Sequence, residues 1–109
     1  MFFARLDPIQ GNEQGGTRPV IVISRNAINQ NSSVVIAVPT TDKANIKKTY
    51  MSHVEIPKGV GGLTLDSVVK VEQMRAFMVK TRFLEYLGHL PDDYIKKLNR
   101  AILITLELD

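Results

Sequence analysis

The sequence predicts a small α+β domain, an antiparallel β-barrel with a short helix and a C-terminal helix. Short β-branched runs alternate with turns that carry glycine or proline. One segment near the C-terminus has apolar residues at helical spacing. The length, 109 residues, suits one core and one domain spanning residues 1–109.

Residues 2–6 (FFARL) alternate and read as a strand. Asp7 and Pro8 start a turn into residues 11–19 (GNEQGGTRP), a glycine-rich polar loop. Residues 20–24 (VIVIS) are β-branched, as in a strand buried on both faces. Residues 25–33 (RNAINQNSS) are polar and read as a connector. Residues 34–39 (VVIAVP) form a second buried strand, which Pro39 is expected to end. Residues 40–51 (TTDKANIKKTYM) lack a period and read as an exposed basic loop. Residues 52–56 alternate as a strand, and residues 59–62 (GVGG) mark a tight turn or bulge. Residues 67–72 (SVVKVE) read as a strand that residues 75–80 continue past a kink near Gln73. Residues 81–87 suit one or two helical turns, capped by Thr81 and stopped by Gly88. Pro91 opens the last helix, and Asp92 and Asp93 complement its dipole. Tyr94, Ile95, Leu98, Ala101, Ile102 and Leu106 keep helical spacing. Ile104 and Leu108 widen that surface, either as the edge of a broad core face or as a contact with a second subunit.

Composition narrows the function classes. A net charge of +3 permits a nucleic-acid or acidic protein partner without demanding one. Cysteine is absent, which excludes disulfide and thiolate chemistry. No apolar run reaches membrane length and residues 1–8 carry no signal segment, so a cytoplasmic location is expected. His53 and His89 have no partner at ligand spacing, so no metal is expected. They could act as an acid–base pair only if the fold joined them. Neither a nucleophile elbow nor a P-loop is present.

Arg18 and Thr40 remain. Arg18 precedes one buried run and Thr40 follows the next. If those runs are antiparallel neighbours, the two residues meet at one rim of the sheet. A guanidinium fork beside a hydroxyl suits a phosphodiester. Thr41 is the alternative partner. Read alone, Arg18 could equally be a surface ion pair with Glu13, and Thr40 a turn hydroxyl.

Residues 13–19 (E-Q-G-G-x-R-P) begin a wider resemblance. Residues 34–41 (VVIAVPTT), 53–56 (HVEI) and 62–75 (GLTLDSVVKVEQMR) follow in the same order. With the last helix, nearly the whole chain resembles the MazF/PemK family of toxin endoribonucleases. The histidine and acidic residue of the PemK branch have no counterpart around Arg18, which favours the MazF branch. Residues 77–82 (FMVKTR) depart from the family's common I-D-K-x-R-L, with Val79 near the expected aspartate.

The resemblance implies an SH3-like barrel and a two-fold dimer. It implies a sequence-specific, metal-independent, cofactor-free nuclease for single-stranded RNA, the toxin of a toxin–antitoxin pair. The ribose 2′-OH would attack phosphorus to leave 2′,3′-cyclic phosphate and 5′-OH ends, so DNA would be inert. Arg18 and Thr40 match the catalytic pair, and Glu13 is a candidate base or substrate contact. Asn12, Glu13, Gln14, Glu72 and Gln73 would read bases, with Thr41 beside them. Arg75, Lys43, Lys47 and Lys48 either contact the RNA backbone or solvate their loops. Phe2 and Phe3 either pack in the core or stack on bases. The partner would be an acidic, partly disordered antitoxin. The alternatives are a non-enzymatic toxin of the same fold, as the gyrase poison CcdB is, or an SH3-like RNA-binding module.

Overall fold

In a computed structural model, which describes residues 1–7, 10–11, 13 and 15–109, the chain forms one seven-stranded sheet and three helices. The strands are β1 (Phe2–Arg5), β2 (Thr17–Val22), β3 (Val34–Asp42), β4 (His53–Ile56), β5 (Ser67–Lys70), β6 (Arg75–Met78) and β7 (Phe83–Tyr86). The helices are α1 (Asn26–Asn31), α2 (Val79–Arg82) and α3 (Asp92–Thr105). Every strand pairing is antiparallel, in the order β4-β5-β3-β2-β1-β7, with β6 also on β3.

The nine-residue β3 organises this sheet. Its first part, from Val34 to Ala37, pairs with β6, and its last part, from Thr40 to Asp42, pairs with β5. Pro39 therefore does not end the strand. On that side the ladder is interrupted at Val38 and Pro39, where a residue without an N–H is tolerated. The change of partner also splits the core. One cluster joins Ala4, Leu6, Val20, Val35, Ala37 and Phe77. The other gathers Ile21, Val38, Ile56, Val69 and Val71 beneath Leu98 and Ala101 of α3.

The barrel expectation holds only loosely, because the strands do not close by pairing and β4 and β7 end the path. Side chains of β6 and α2 reach across to the end of β1. Arg75 Nη1 donates to Leu6 O at 3.2 Å, and Arg82 Nη1 donates to Arg5 O at 3.2 Å.

Other expectations change for local reasons. Residues 25–33 hold α1, although it buries no residue. Asn29 Nδ2 donates to Ser24 O at 2.8 Å and the Ser24 hydroxyl lies on Asn29 Oδ1 at 2.5 Å, so polar bonds replace an apolar stripe. Residues 67–72 do not stay extended: β5 stops at Lys70, and a 3₁₀ turn over Val71–Gln73 sends β6 to the other part of β3. The helical turn expected over 81–87 lies earlier, at Val79–Arg82, and Phe83–Tyr86 pairs with β1. Thr81 is thus no cap. Gly88 does not follow a helix; a Cβ there would stand 2.7 Å from Gly61 O. In α3, Leu98 and Ala101 are buried as expected, but Leu106 is 50% exposed. No helix among the described residues is long and apolar enough to cross a membrane.

Candidate active site

β2 starts at Thr17, so Arg18 lies within a strand and not in the loop before it. Its register is fixed by Ala4 on β1, while Val20 of the same strand pairs with Pro39 of β3. The antiparallel pairing of β2 and β3 brings Arg18 beside Thr40 and Thr41. Arg18 Nε donates to Gly15 O at 2.8 Å. Its Nη1 donates to Thr40 O and to Thr41 Oγ1, both at 3.1 Å. Three neutral oxygens hold the guanidinium, and Nη2, with two N–H donors, has no partner among the described residues.

The two threonines separate at this point. Successive strand residues point to opposite faces. Thr40 is 3% exposed and donates its hydroxyl to Pro19 O at 2.9 Å. Thr41 is half-buried, and its hydroxyl meets Arg18. The expected proximity of Arg18 and Thr40 is present in the main chain, but the hydroxyl beside the guanidinium is that of Thr41.

Arg18, Pro19, Thr40 and Thr41 line a groove of about 350 Å³, completed by Phe3, Asp42, Asn45 and the 63–65 segment. That volume suits a phosphate and part of a nucleoside. Asn45 and Thr64 join this lining without a motif of their own in the sequence. The signal was the glycine run at 59–62, whose positive-φ Gly59, Gly61 and Gly62 fold the following residues back. Burial draws the Arg18 guanidinium below its ordinary range, and the Asp7 charge opposes that shift. An arginine keeps its proton at neutral pH under such a shift, so the groove presents a fixed cation.

The other candidates are dispersed. Glu13 Oε1 accepts from Gln10 N at 2.7 Å, closing its own turn and not pairing with Arg18. Asn12 and Gln14 lie outside the described residues. Lys43 pairs with Glu55 at 3.3 Å, in an adjoining groove. Arg75 is committed to Leu6 O and stands over the Phe77 ring, 5.1 Å from its centre. Glu72 accepts from the Ser52 hydroxyl at 2.8 Å and sits 3.3 Å from His53 Nε2. Gln73 follows in the same turn. Phe2 stacks on Phe83 with centroids 4.9 Å apart, whereas Phe3 lines the groove. His53 and His89 line separate grooves and do not form a pair. No three His, Asp or Glu side chains gather as metal ligands among the described residues.

Comparison with known proteins gives a consistent set. Residues 1–106 match a family described as PemK-like, MazF-like toxin of type II toxin-antitoxin system. The Endoribonuclease MazF of Staphylococcus saprophyticus subsp. saprophyticus is 42% identical over 108 residues, covering 99% of this chain and 88% of the relative. The Mycobacterium tuberculosis toxin MazF-mt6 superposes with a TM-score of 0.80 over 99% of this chain and 96% of its own, at 23% identity, which speaks for the fold. A MazE-MazF crystal structure from Deinococcus radiodurans gives a TM-score of 0.74 at 26% identity, covering 99% and 92% of the two chains.

Proposed function

Because the chain belongs to the PemK-like, MazF-like toxins of type II toxin-antitoxin systems, we propose that it is an endoribonuclease cutting single-stranded RNA in the Arg18 groove. The observation that carries this reading is the state of Arg18. Its Nε and Nη1 are tied to fixed acceptors, and among the described residues its Nη2 donors are uncommitted beside the Thr41 hydroxyl. Such a cation is preorganised for charge that develops on phosphorus.

The RNA 2′-oxygen bonds to the adjacent phosphorus and the bond to the 5′-oxygen breaks. A proton leaves the 2′-OH and one is gained by the departing oxygen. Arg18 stabilises the phosphorane, and Thr41 contacts a non-bridging oxygen. Thr40, with its hydroxyl turned to Pro19, holds the two strands in register. Glu13 is the candidate base, and Asn12, Gln14, Lys43, Glu72, Gln73 and Arg75 are candidate RNA contacts. The reaction requires a ribose, so DNA is not a substrate.

The toxin pairs with a cognate antitoxin and acts as a homodimer, in the cytoplasm. Support for the antitoxin comes from the family and from the Deinococcus MazE-MazF complex.

The test is cleavage of a long unstructured RNA in EDTA, with ends mapped by primer extension. The native chain is expected to cut at a short recurring sequence. Arg18→Ala is expected to lose at least about 100-fold in rate while remaining folded. An Arg18→Ala variant that cuts normally removes Arg18 from the mechanism.

A further inference from the structure

Arg82 belongs to the FMVKTR segment that the function above does not use. It lines no part of the groove. Its Nη1 nevertheless donates both to Arg5 O at 3.2 Å and to Asp7 O at 2.5 Å. One guanidinium thus clamps the chain where it leaves β1. Asp7 passes the constraint on, because its Oδ1 accepts the Gly16 N–H at 3.1 Å. Leu6 N donates to Gly16 O at 2.9 Å, so the two ends of the glycine loop are tied together. Gly15, next in the chain, accepts from Arg18 Nε at 2.8 Å. Arg75, on Leu6 O, adds a second clamp at the same corner.

We propose that Arg82 is a positioning residue for Arg18, acting through Asp7 and the Gly15–Gly16 main chain. A glycine-rich loop has little intrinsic reason to hold one shape. Without a fixed Gly15 carbonyl, the Arg18 side chain loses the acceptor that holds its Nε–H. The guanidinium then samples several rotamers, and its Nη2 donors are no longer aimed. Arg82 acts on the geometry of a cation it does not touch.

The functional arm of the test rests on the nuclease reading, and the structural arm does not. The structural arm follows hydrogen exchange at the Arg18 Nε–H by NMR in the ¹⁵N-labelled chain. Arg82→Ala and, separately, Asp7→Ala are expected to speed that exchange about tenfold, the loss of one charge-assisted bond, with the β2 and β3 amides unchanged. In the functional arm, both variants are expected to lower kcat on RNA with KM little altered. Unchanged Arg18 exchange in either folded variant overturns the proposal, as does acceleration shared equally by the β2 and β3 amides. If Arg82→Ala does not fold, Asp7→Ala decides. RNA left intact by the native chain, with Arg18 exchange still responding, removes the nuclease reading and leaves the positioning role standing.

Discussion

Thr40 and Thr41 differ by one position and by the face of β3 on which their side chains stand. That difference gives their hydroxyls separate partners. The Thr40 hydroxyl is buried and donates to Pro19 O, tying β3 to β2. The Thr41 hydroxyl is joined to Arg18. Thr40→Val is therefore expected to cost about 1 kcal/mol of stability through the lost bond. Cleavage per folded molecule should change little. Thr41→Val is expected to remain folded and lose about 10- to 100-fold in cleavage rate. Thermal denaturation and a single-turnover RNA assay on both variants check the assignment, and the opposite pattern returns the catalytic hydroxyl to Thr40. Arg18 stands out in the sequence because few residue types suit a phosphate, and it lines the groove. The choice between neighbouring hydroxyls depends on strand phase, and the unbroken burial from Ala37 to Thr40 hides that phase.

At the scale of elements, legibility follows where the stabilising partner lies. α3 carries its own apolar stripe and a proline start, so it was readable locally. β7 was not, because its four residues are extended only through pairing with β1, some eighty positions earlier. α1 lacks an apolar face and rests on the Ser24–Asn29 bonds. The turn between β5 and β6 is likewise secured from outside. Glu72 in that turn binds Ser52 and His53 at the start of β4. The Tyr50 N–H donates to His53 Nδ1 at 3.4 Å, which leaves Nε2 facing Glu72. Burial pushes the Glu72 carboxyl up, but bonds from Ser52, its own backbone and His53, with the His53 charge, outweigh this and hold it below its ordinary value. A carboxyl lowered on folding stabilises above its unfolded pKa, and that stability is lost as pH falls through the folded value. Glu72→Gln should thus melt below the native protein at pH 7, and the gap should close on acidification below about pH 4. Melting curves across that range decide it: a gap that stays constant to the lowest pH means the carboxylate charge does not hold the turn.

For the whole molecule, the open edge of the sheet is the outstanding feature. Ile28, Ile36, Met78, Leu84 and Tyr86 are between 41% and 60% exposed. Leu84 and Tyr86, with Phe2, Val22, Val35, Val79 and Phe83, line an apolar groove of about 420 Å³. β7 ends the strand path and presents this apolar rim along an unpaired edge. A domain of this size buries a modest share of its surface, and an exposed apolar edge strand favours association. The end of α3, with Leu106 at 50% and Leu108 at 68% exposure, is a second and narrower apolar zone. The wider zone is the better dimer surface, because more apolar area is removed from water there. Sedimentation equilibrium of the native chain is accordingly expected to give the mass of two chains at micromolar concentration. The double substitution Leu84→Lys with Tyr86→Lys should give a folded monomer, because two ammonium groups would have to be desolvated at the joint. Leu108→Lys should leave the dimer intact. A native monomer rules out self-association, whereas a dimer that survives the double substitution and dissociates with Leu108→Lys moves the interface to the end of α3.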